Sequence, residues 1–393
     1  MLSAEHRTLV KATVPLLESG GEALTAHFYT LMLREYPEVR PLFNPANQAS
    51  GAQPRALANG VLMYARHIDE LEKLGGLVSQ IVNKHVSLQI LPEHYPIVGA
   101  CLLRAIREVL GPAIATDAVI DAWAAAYRQL ADILIAAEQQ CYDAHAAAKG
   151  GWRGARAFAV ARRVRESDEI TSFHLRPVDG GDLLAFDPGQ YIGLRVEIDG
   201  VEHRRNYSLS AASSAHEYRI SVKREPRGTV STYLHDVAVE GATLDLFAPA
   251  GDFTLDASTR PLVLISGGVG ITPMLAMLDA ALKTPRPIHF IHAARHRGVH
   301  AFREAIDRLA ERHPQLRRFY CYAEHAGDHP APHAVGLLDR ETLAAWLPAS
   351  RDIDVYFLGP LPFMKAVKRH LQELGVPRAQ TRFEFFGPAS ALD

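Results

Sequence analysis

Three cysteines in 393 residues are too few and too scattered for a disulfide framework. Cys101, Cys141 and Cys321 form no CxxC pair, which also removes a thiolate zinc site. Long apolar runs are lacking, and nothing approaches the ~20 residues that span a bilayer. The opening MLSAEHRTLV has no basic segment followed by an apolar core, so no secretion signal is expected. The protein is expected in the cytoplasm, without stable membrane association. An excess of one charge is also lacking. The net charge of -2 and pI near 6.8 argue against nucleic acid or an anionic membrane as the main partner. The 19 histidines include no HxH or HExxH spacing. Any metal must therefore be held by few protein ligands, as in haem. What is present is ordinary for a soluble globular chain, 48% hydrophobic and 22% charged, and its length predicts two or three domains.

The chain changes character twice. Residues 1–147 carry helical patterns only. Ser3 is an N-cap, and Leu9, Val10, Val14 and Leu17 follow at helical spacing up to Ser19-Gly20-Gly21, where the helix is expected to stop. A second helix carries Leu24, Phe28 and Leu31 and ends before Pro37. RPLFNPANQASGAQP (40–54) is turn-rich. Helical pattern resumes through Leu62 and again around His85, ending before Pro92. Further helices are expected over Glu93–Leu110, stopped by Gly111, and over Asp117–Ala146. This predicts an all-α domain of seven or eight helices, the size and pattern of a globin-type fold.

Over residues 152–258 the period becomes two. EYRISVKR alternates Tyr218, Ile220 and Val222 with Arg219, Ser221 and Lys223. Turns at PVDGGD, EIDG, EPRG and PAGD separate several such strands, which predicts an antiparallel sheet or small β-barrel. Over 259–393, short apolar strands (PLVLIS, PIHFIH, RFYCYA, DVYFLG, TRFEF) alternate with helical segments, which predicts a parallel α/β sheet.

Several residues in these segments carry chemistry. LVLISGGVGITPMLAML is a strand, a glycine turn and a helix. Gly267, Gly268 and Gly270 permit close approach of a phosphate to the helix N-terminus. Pro273 stands where a third glycine is usual, and an ordinary glycine-rich turn is the alternative. After the next strand come Arg295 and Arg297 with no acid. Arginines there accommodate a 2′-phosphate, so NADPH is expected to be tolerated; the alternative is two solvated side chains. In RRNYSLS and KREPRGTVSTYLH, Arg205, Tyr207, Ser208, Gly228, Val230 and Ser231 offer what a flavin requires: an aromatic face, hydroxyls and a cation for the diphosphate.

In the helical part, His85 shares an apolar face with Ile81, Val82 and Leu88. It is either a core histidine or an iron ligand. Tyr29 lies one position off the Leu24–Phe28–Leu31 face. Phe43, in a Pro- and Asn-rich loop, needs something to pack on. Glu138 falls on an apolar stripe with Tyr127, Leu130, Leu134 and Cys141. A carboxylate there is costly unless hydrogen-bonded, or else it reaches water near the helix end.

The order R-x-Y-S, then G-x-x-S, then G-G-x-G-x-T-P resembles the ferredoxin–NADP reductase family. PGQY (188–191), LGP (358–360) with Phe363 and Met364, and FEFFGP (383–388) are similar to it too. The resemblance implies that Arg205, Tyr207, Ser208 and Ser231 bind FAD, with Tyr191, Lys223, Gly228 and Val230 beside them. It implies nicotinamide-nucleotide contacts from Gly268, Gly270, Thr272, Pro273, Gly359 and Pro360, and places Glu384 and Phe386 by the flavin ring. Leu358 departs from the cysteine usual in that family, and hydride transfer or nucleotide selection is expected to feel the missing thiol.

LTAHFYTLM, LFNPANQ, NKHVSLQILPEHYPIVG and YIGLR extend the resemblance to flavohaemoglobins over nearly the whole chain. That family joins a globin to such a reductase in this order. The resemblance implies haem b, FAD and NAD(P)H as cofactors and His85 as the proximal iron ligand. Phe43 would pack on the haem, and Tyr29, Gln53 and Leu57 would line its distal side. Tyr95 and Glu138 would hydrogen-bond on the proximal side. The implied activity is nitric oxide dioxygenase, with O2, NO and NAD(P)H as small-molecule partners. Two alternatives stay open: an O2-binding haem protein with a maintenance reductase, and a general NAD(P)H:acceptor flavin reductase acting on ferric chelates or quinones. The helix around Ala56, Leu57 and Val61 is a candidate lining for an apolar ligand in the distal pocket.

Overall fold

Ser3 starts the first helix as expected, its hydroxyl accepting from the His6 N–H at 3.0 Å. That helix, α1 (Ala4–Ala12), is short. Pro15 belongs in a first turn, so a new helix begins there, and α2 (Val14–Glu35) runs unbroken through Ser19-Gly20-Gly21. The expected stop at these residues is thus incorrect. Gly21 is buried where an added Cβ would stand 3.5 Å from the Ala58 Cβ. Burial of Leu17, Leu24 and Phe28 along this helix outweighs the ~1 kcal/mol that glycine costs in a helix. The computed structural model describes residues 2–325, 327 and 330–387.

The helical region continues with α3 (Pro45–Ala49), α4 (Ala52–Arg66), α5 (Gly75–Leu88), α6 (His94–Leu110) and α7 (Asp117–Ala147). Gln89, at φ 57°, turns the chain out of α5, and Gly111, at φ 73°, ends α6. The core is made by Phe28, Met32, Val10 and Ile106, with alanines 65, 105, 122 and 126 where helices pass closely. This region, to Ala148, forms one compact unit together with Arg195–Arg205, Phe386 and Gly387.

The second unit holds Lys149–Leu194 and Asn206–Phe385. The first sheet along the chain contains β1 (Arg156–Arg165), β2 (Ile170–Pro177), β3 (Tyr191–Ile198), β4 (Val201–Ser208), β5 (Tyr218–Lys223) and β6 (Thr243–Leu246). One helix, α8 (Thr229–Asp236), interrupts the series. Among the described residues the order is β4-β3-β6-β1-β2-β5, with β1 antiparallel to β2 and β6 and β2 antiparallel to β5. The expected face of β5 is buried through Tyr218, Ile220 and Val222, but Ser221 is buried too. Its hydroxyl lies 2.8 Å from that of Ser172 and 2.7 Å from that of Ser210, so the polar face is paid in hydrogen bonds rather than in water contact.

The second sheet is built from β7 (Leu262–Gly267), β8 (Ile288–Ala294), β9 (Leu316–Tyr322), β10 (Ala334–Val335), β11 (Asp354–Leu358) and β12 (Thr381–Phe383). Helices α9 (Ile271–Ala281), α10 (Arg303–Arg312), α11 (Arg340–Trp346) and α12 (Leu361–Glu373) accompany them. The parallel order is β10-β9-β8-β7-β11-β12. β7 and β11 are buried throughout, which is why their sequences are apolar apart from Ser266 and Asp354, whose side chains are hydrogen-bonded to His292 and Arg286. The chain builds outward from β7 to β10 on one side, then returns to build β11 and β12 on the other. The switch point of the sheet therefore lies between β7 and β11. Among the described residues no helix is long and apolar enough to cross a membrane.

Candidate functional site

In the helical unit, α5, α6 and α7 bring together three residues that are far apart in sequence. Glu138 is 1% exposed, so a water-reaching side chain is excluded. Its Oε1 lies 2.6 Å from His85 Nδ1 and accepts from the Tyr95 hydroxyl at 2.6 Å. Tyr95 Oη is also 3.2 Å from His85 Nδ1. Burial, then the hydrogen bond to Glu138, pushes the Tyr95 phenol well above its ordinary pKa, so it stays a donor. With Nδ1 committed to the carboxylate, Nε2 is the ring nitrogen left to ligate a metal. A buried acid that orients an imidazole in this way fits a haem-iron ligand better than a core histidine.

Two further phenols fix this arrangement and were not singled out from sequence. Tyr127 donates to the Tyr95 carbonyl at 2.6 Å, and Tyr142 donates to the Ile90 carbonyl at 2.8 Å. The available signal was Gly99, inside α6. A Cβ there would meet Tyr127 Cε1 at 2.6 Å, so only glycine leaves room for that ring.

A second cluster joins α2 and α4. Gln53 Nε2 donates to the Tyr29 hydroxyl oxygen at 3.2 Å. The Tyr29 ring meets Phe43 edge-on at 5.5 Å and Phe28 at 4.8 Å. Burial raises the Tyr29 pKa, offset in part by the Gln53 bond. Phe43 thus has the packing partner its loop position requires. Leu57, half-buried, packs against the same core.

In the second unit, the turn after β7 lies at the switch point. Gly268 has φ 54° and open space where a Cβ would project. At Gly270 a Cβ would stand 2.3 Å from the Leu358 carbonyl oxygen, and at Gly359 2.6 Å from the Phe363 ring. The glycines therefore serve different needs: Gly268 leaves an opening, while Gly270 and Gly359 allow two strand ends and Phe363 to pack. Thr272 donates to the Val269 carbonyl at 3.1 Å. Pro273 sits in the first turn of α9, where a missing N–H costs no helical bond. Pro360 is the N-cap position of α12. Leu358 is wholly buried in the core, so its side chain contributes packing.

The flavin candidates lie on β4 and around α8. Ser208 ends β4, and its buried Oγ has no hydrogen-bond partner among the described residues. An orphaned buried hydroxyl fits a polar ligand atom that the chain itself does not supply. Tyr207 occupies the preceding position, and the Arg205 guanidinium donates to the Arg204 carbonyl at 2.6 Å. Ser231 Oγ accepts from the Glu225 N–H and donates to the Gly228 carbonyl, both at 3.2 Å. A Cβ at Gly228 would stand 2.4 Å from that Oγ. Val230 is buried, Lys223 pairs with Glu225 at 2.9 Å, and Tyr191 is buried with Gly251 against its ring. Glu384 lies in the segment after β12; Phe386 is 53% exposed, and Pro388 of FEFFGP lies outside the described residues.

The two arginines after β8 are differently placed. Arg295 pairs with Glu169 at 2.5 Å, and Arg297 donates to the Pro330 carbonyl at 3.5 Å. Glu169 was not noticed from sequence, since it lies 126 positions away from Arg295.

Comparison with known proteins agrees with this division. Residues 26–134 match the globin family, residues 157–255 the oxidoreductase FAD-binding domain and residues 264–369 the oxidoreductase NAD-binding domain. The chain is 73% identical to a flavohemoprotein of Burkholderia sp. (strain TH2) and 70% identical to one of Pseudomonas putida, each over the full length of both chains. A crystal structure of a flavohemoglobin from Malassezia yamatoensis with bound FAD and heme is 28% identical, with a TM-score of 0.87, and the match covers 98% of this chain and all of that one. The FAD/NAD-binding domain of a nitric oxide dioxygenase from Vibrio cholerae is 38% identical, with a TM-score of 0.56, over 60% of this chain and all of that one.

Proposed function

The chain belongs to the flavohemoprotein family, NAD(P)H-dependent oxidoreductases with haem and FAD, and from that premise we propose that it converts nitric oxide and O2 to nitrate. The balanced reaction consumes two NO and two O2 per NAD(P)H and yields two nitrates, NAD(P)+ and a proton, because a hydride carries two electrons. When bound, the nicotinamide would supply that hydride, the flavin the means of dividing it into single electrons, and the haem iron an O2-binding and reducing centre.

The observation that carries this reading is the contact of buried Glu138 with His85 Nδ1 at 2.6 Å. A carboxylate partner makes the imidazole a stronger electron donor toward iron, which favours chemistry at O2 over reversible carriage. Tyr95 holds the other side of this contact and fixes the ring. Gln53 donates to the Tyr29 oxygen, so the Tyr29 proton remains to be given to a partly negative oxygen in the pocket. In the second unit, Ser208, Ser231 and Tyr207 would hold the flavin, and the Gly268 opening would admit a pyrophosphate.

The test measures NO consumption with NADH and O2 by the purified holoprotein, with nitrate counted against NADH. Two nitrates per NADH are expected, with activity lost in His85→Ala while flavin-driven reduction of ferricyanide persists. Equal NO consumption in His85→Ala would assign the reaction to the flavin and overturn the reading.

A further inference from the structure

We propose that Glu169 sets the choice between NADH and NADPH by occupying Arg295 and opposing a 2′-phosphate. The proposal rests on the reading of the α/β sheet as a nicotinamide-nucleotide site. Arg295 directly follows β8, the second strand of that sheet. In doubly wound folds this position meets the adenosine ribose: a carboxylate there suits the 2′-hydroxyl of NAD, and an arginine suits the 2′-phosphate of NADP. No acid follows β8 in the sequence. The structure supplies one from elsewhere, in the turn between β1 and β2.

The contact is built rather than incidental. Glu169 is 17% exposed and meets Arg295 Nη2 at 2.5 Å. The turns that carry them are docked through their backbones, with the Asp168 N–H donating to the Gly298 carbonyl at 2.8 Å. A Cβ at residue 298 would stand 2.3 Å from Asp168 Oδ2, so glycine permits this approach. On its other side Arg295 is anchored by the Glu324 N–H, which donates to its carbonyl at 2.8 Å. The guanidinium stays 64% exposed and so remains open to solution. A 2′-phosphate would have to displace Glu169 from Arg295 and then sit beside the released carboxylate. A 2′-hydroxyl meets neither obstacle. NADH is therefore the favoured donor, and the NADPH that the two arginines were expected to tolerate is the weaker one.

The test uses the full-length, haem- and FAD-loaded protein, with flavin content matched between variants. Calorimetry compares 5′-AMP with adenosine 2′,5′-bisphosphate for the parent, Glu169→Gln, and Glu169→Gln combined with Arg295→Ala. Glu169→Gln should tighten the bisphosphate about fivefold or more, the worth of one solvent-screened ion pair, and leave AMP unchanged. High salt should shrink that gain, and Arg295→Ala should remove it. The NADPH-to-NADH ratio of kcat/KM should rise in parallel. An unchanged bisphosphate affinity, or an equal change for both ligands, overturns the role of Glu169 while leaving the nucleotide site intact. Failure of both ligands to bind the parent overturns the site itself, and the proposal with it.

Discussion

Glu138 Oε1 lies 2.6 Å from His85 Nδ1 inside a core that leaves the carboxylate 1% exposed. Replacing it by glutamine keeps the shape and removes the charge. Glu138→Gln should retain haem, lower the iron–histidine stretching frequency, and slow NO consumption about tenfold or more. Tyr95→Phe removes one donor and should give a smaller change of the same sign. An unshifted stretching frequency in Glu138→Gln would remove the electronic role assigned to this acid.

Tyr29→Phe deletes the oxygen that accepts from Gln53 and the proton that remains for a ligand. The stability cost should be about 1 kcal/mol, since Gln53 is only part-buried and can turn to water. O2 dissociation, followed by stopped-flow displacement, should accelerate markedly. If the off-rate stays at the parent value, Tyr29 does not hold the oxygen.

Gly268 and Gly270 make opposite predictions although they stand two residues apart. Gly268→Ala meets open space and only the left-handed backbone penalty, about 1–2 kcal/mol, so the protein folds. Its methyl group projects into the opening proposed for the pyrophosphate, and NADH-driven flavin reduction should need more NADH. Gly270→Ala drives a Cβ to 2.3 Å from a backbone oxygen of β11 and should destabilise the second unit by roughly 1–3 kcal/mol. Thermal unfolding with stopped-flow flavin reduction separates the two. Parent-like half-saturation in Gly268→Ala would place the pyrophosphate elsewhere.

His292 is 1% exposed, its Nδ1 lies 2.8 Å from the Ser266 hydroxyl, and its ring lies tilted against that of His300 at 4.4 Å. Burial pushes the His292 pKa down to about 3 and that of His300 well below its usual range. In the unfolded chain both return to ~6.5. Below that pH the unfolded chain binds protons that the folded one refuses, so the stabilising difference is complete above pH ~6.5 and is lost as the pH falls toward 3. The denaturation midpoint of the second unit, read by release of FAD fluorescence, should drop as the pH falls through 6 to 4. His292→Asn, which keeps a partner for Ser266, should flatten that dependence by about one proton. An identical slope in the variant would refute the assignment.

Much of the site was legible in the sequence because its signals were incongruities. Glu138 on an apolar stripe and Phe43 in a proline-rich loop each demanded a partner, and the structure gives both one. Tyr127 was read only as part of the apolar stripe, and Gly99 was passed over, because a glycine inside a helix has many explanations until the ring it makes room for is seen. The helix end expected at Ser19-Gly20-Gly21 failed for a related reason. Local propensity is worth about 1 kcal/mol per glycine, and burial of Leu17, Leu24 and Phe28 on the same helix decides otherwise.

The sequence by itself determined the order of the three domain types, the strand and helix periods, and which residues had chemistry without an evident partner. These follow from repeats of 2 and 3.6 residues and from the cost of burying charge, both of which can be read along the chain. Only the tertiary structure decided the partners. His85 meets an acid 53 positions away, and Arg295 meets one 126 positions away. Ion pairs and hydrogen bonds act over about 3 Å in space, and no periodicity records which distant residues the fold brings within that reach.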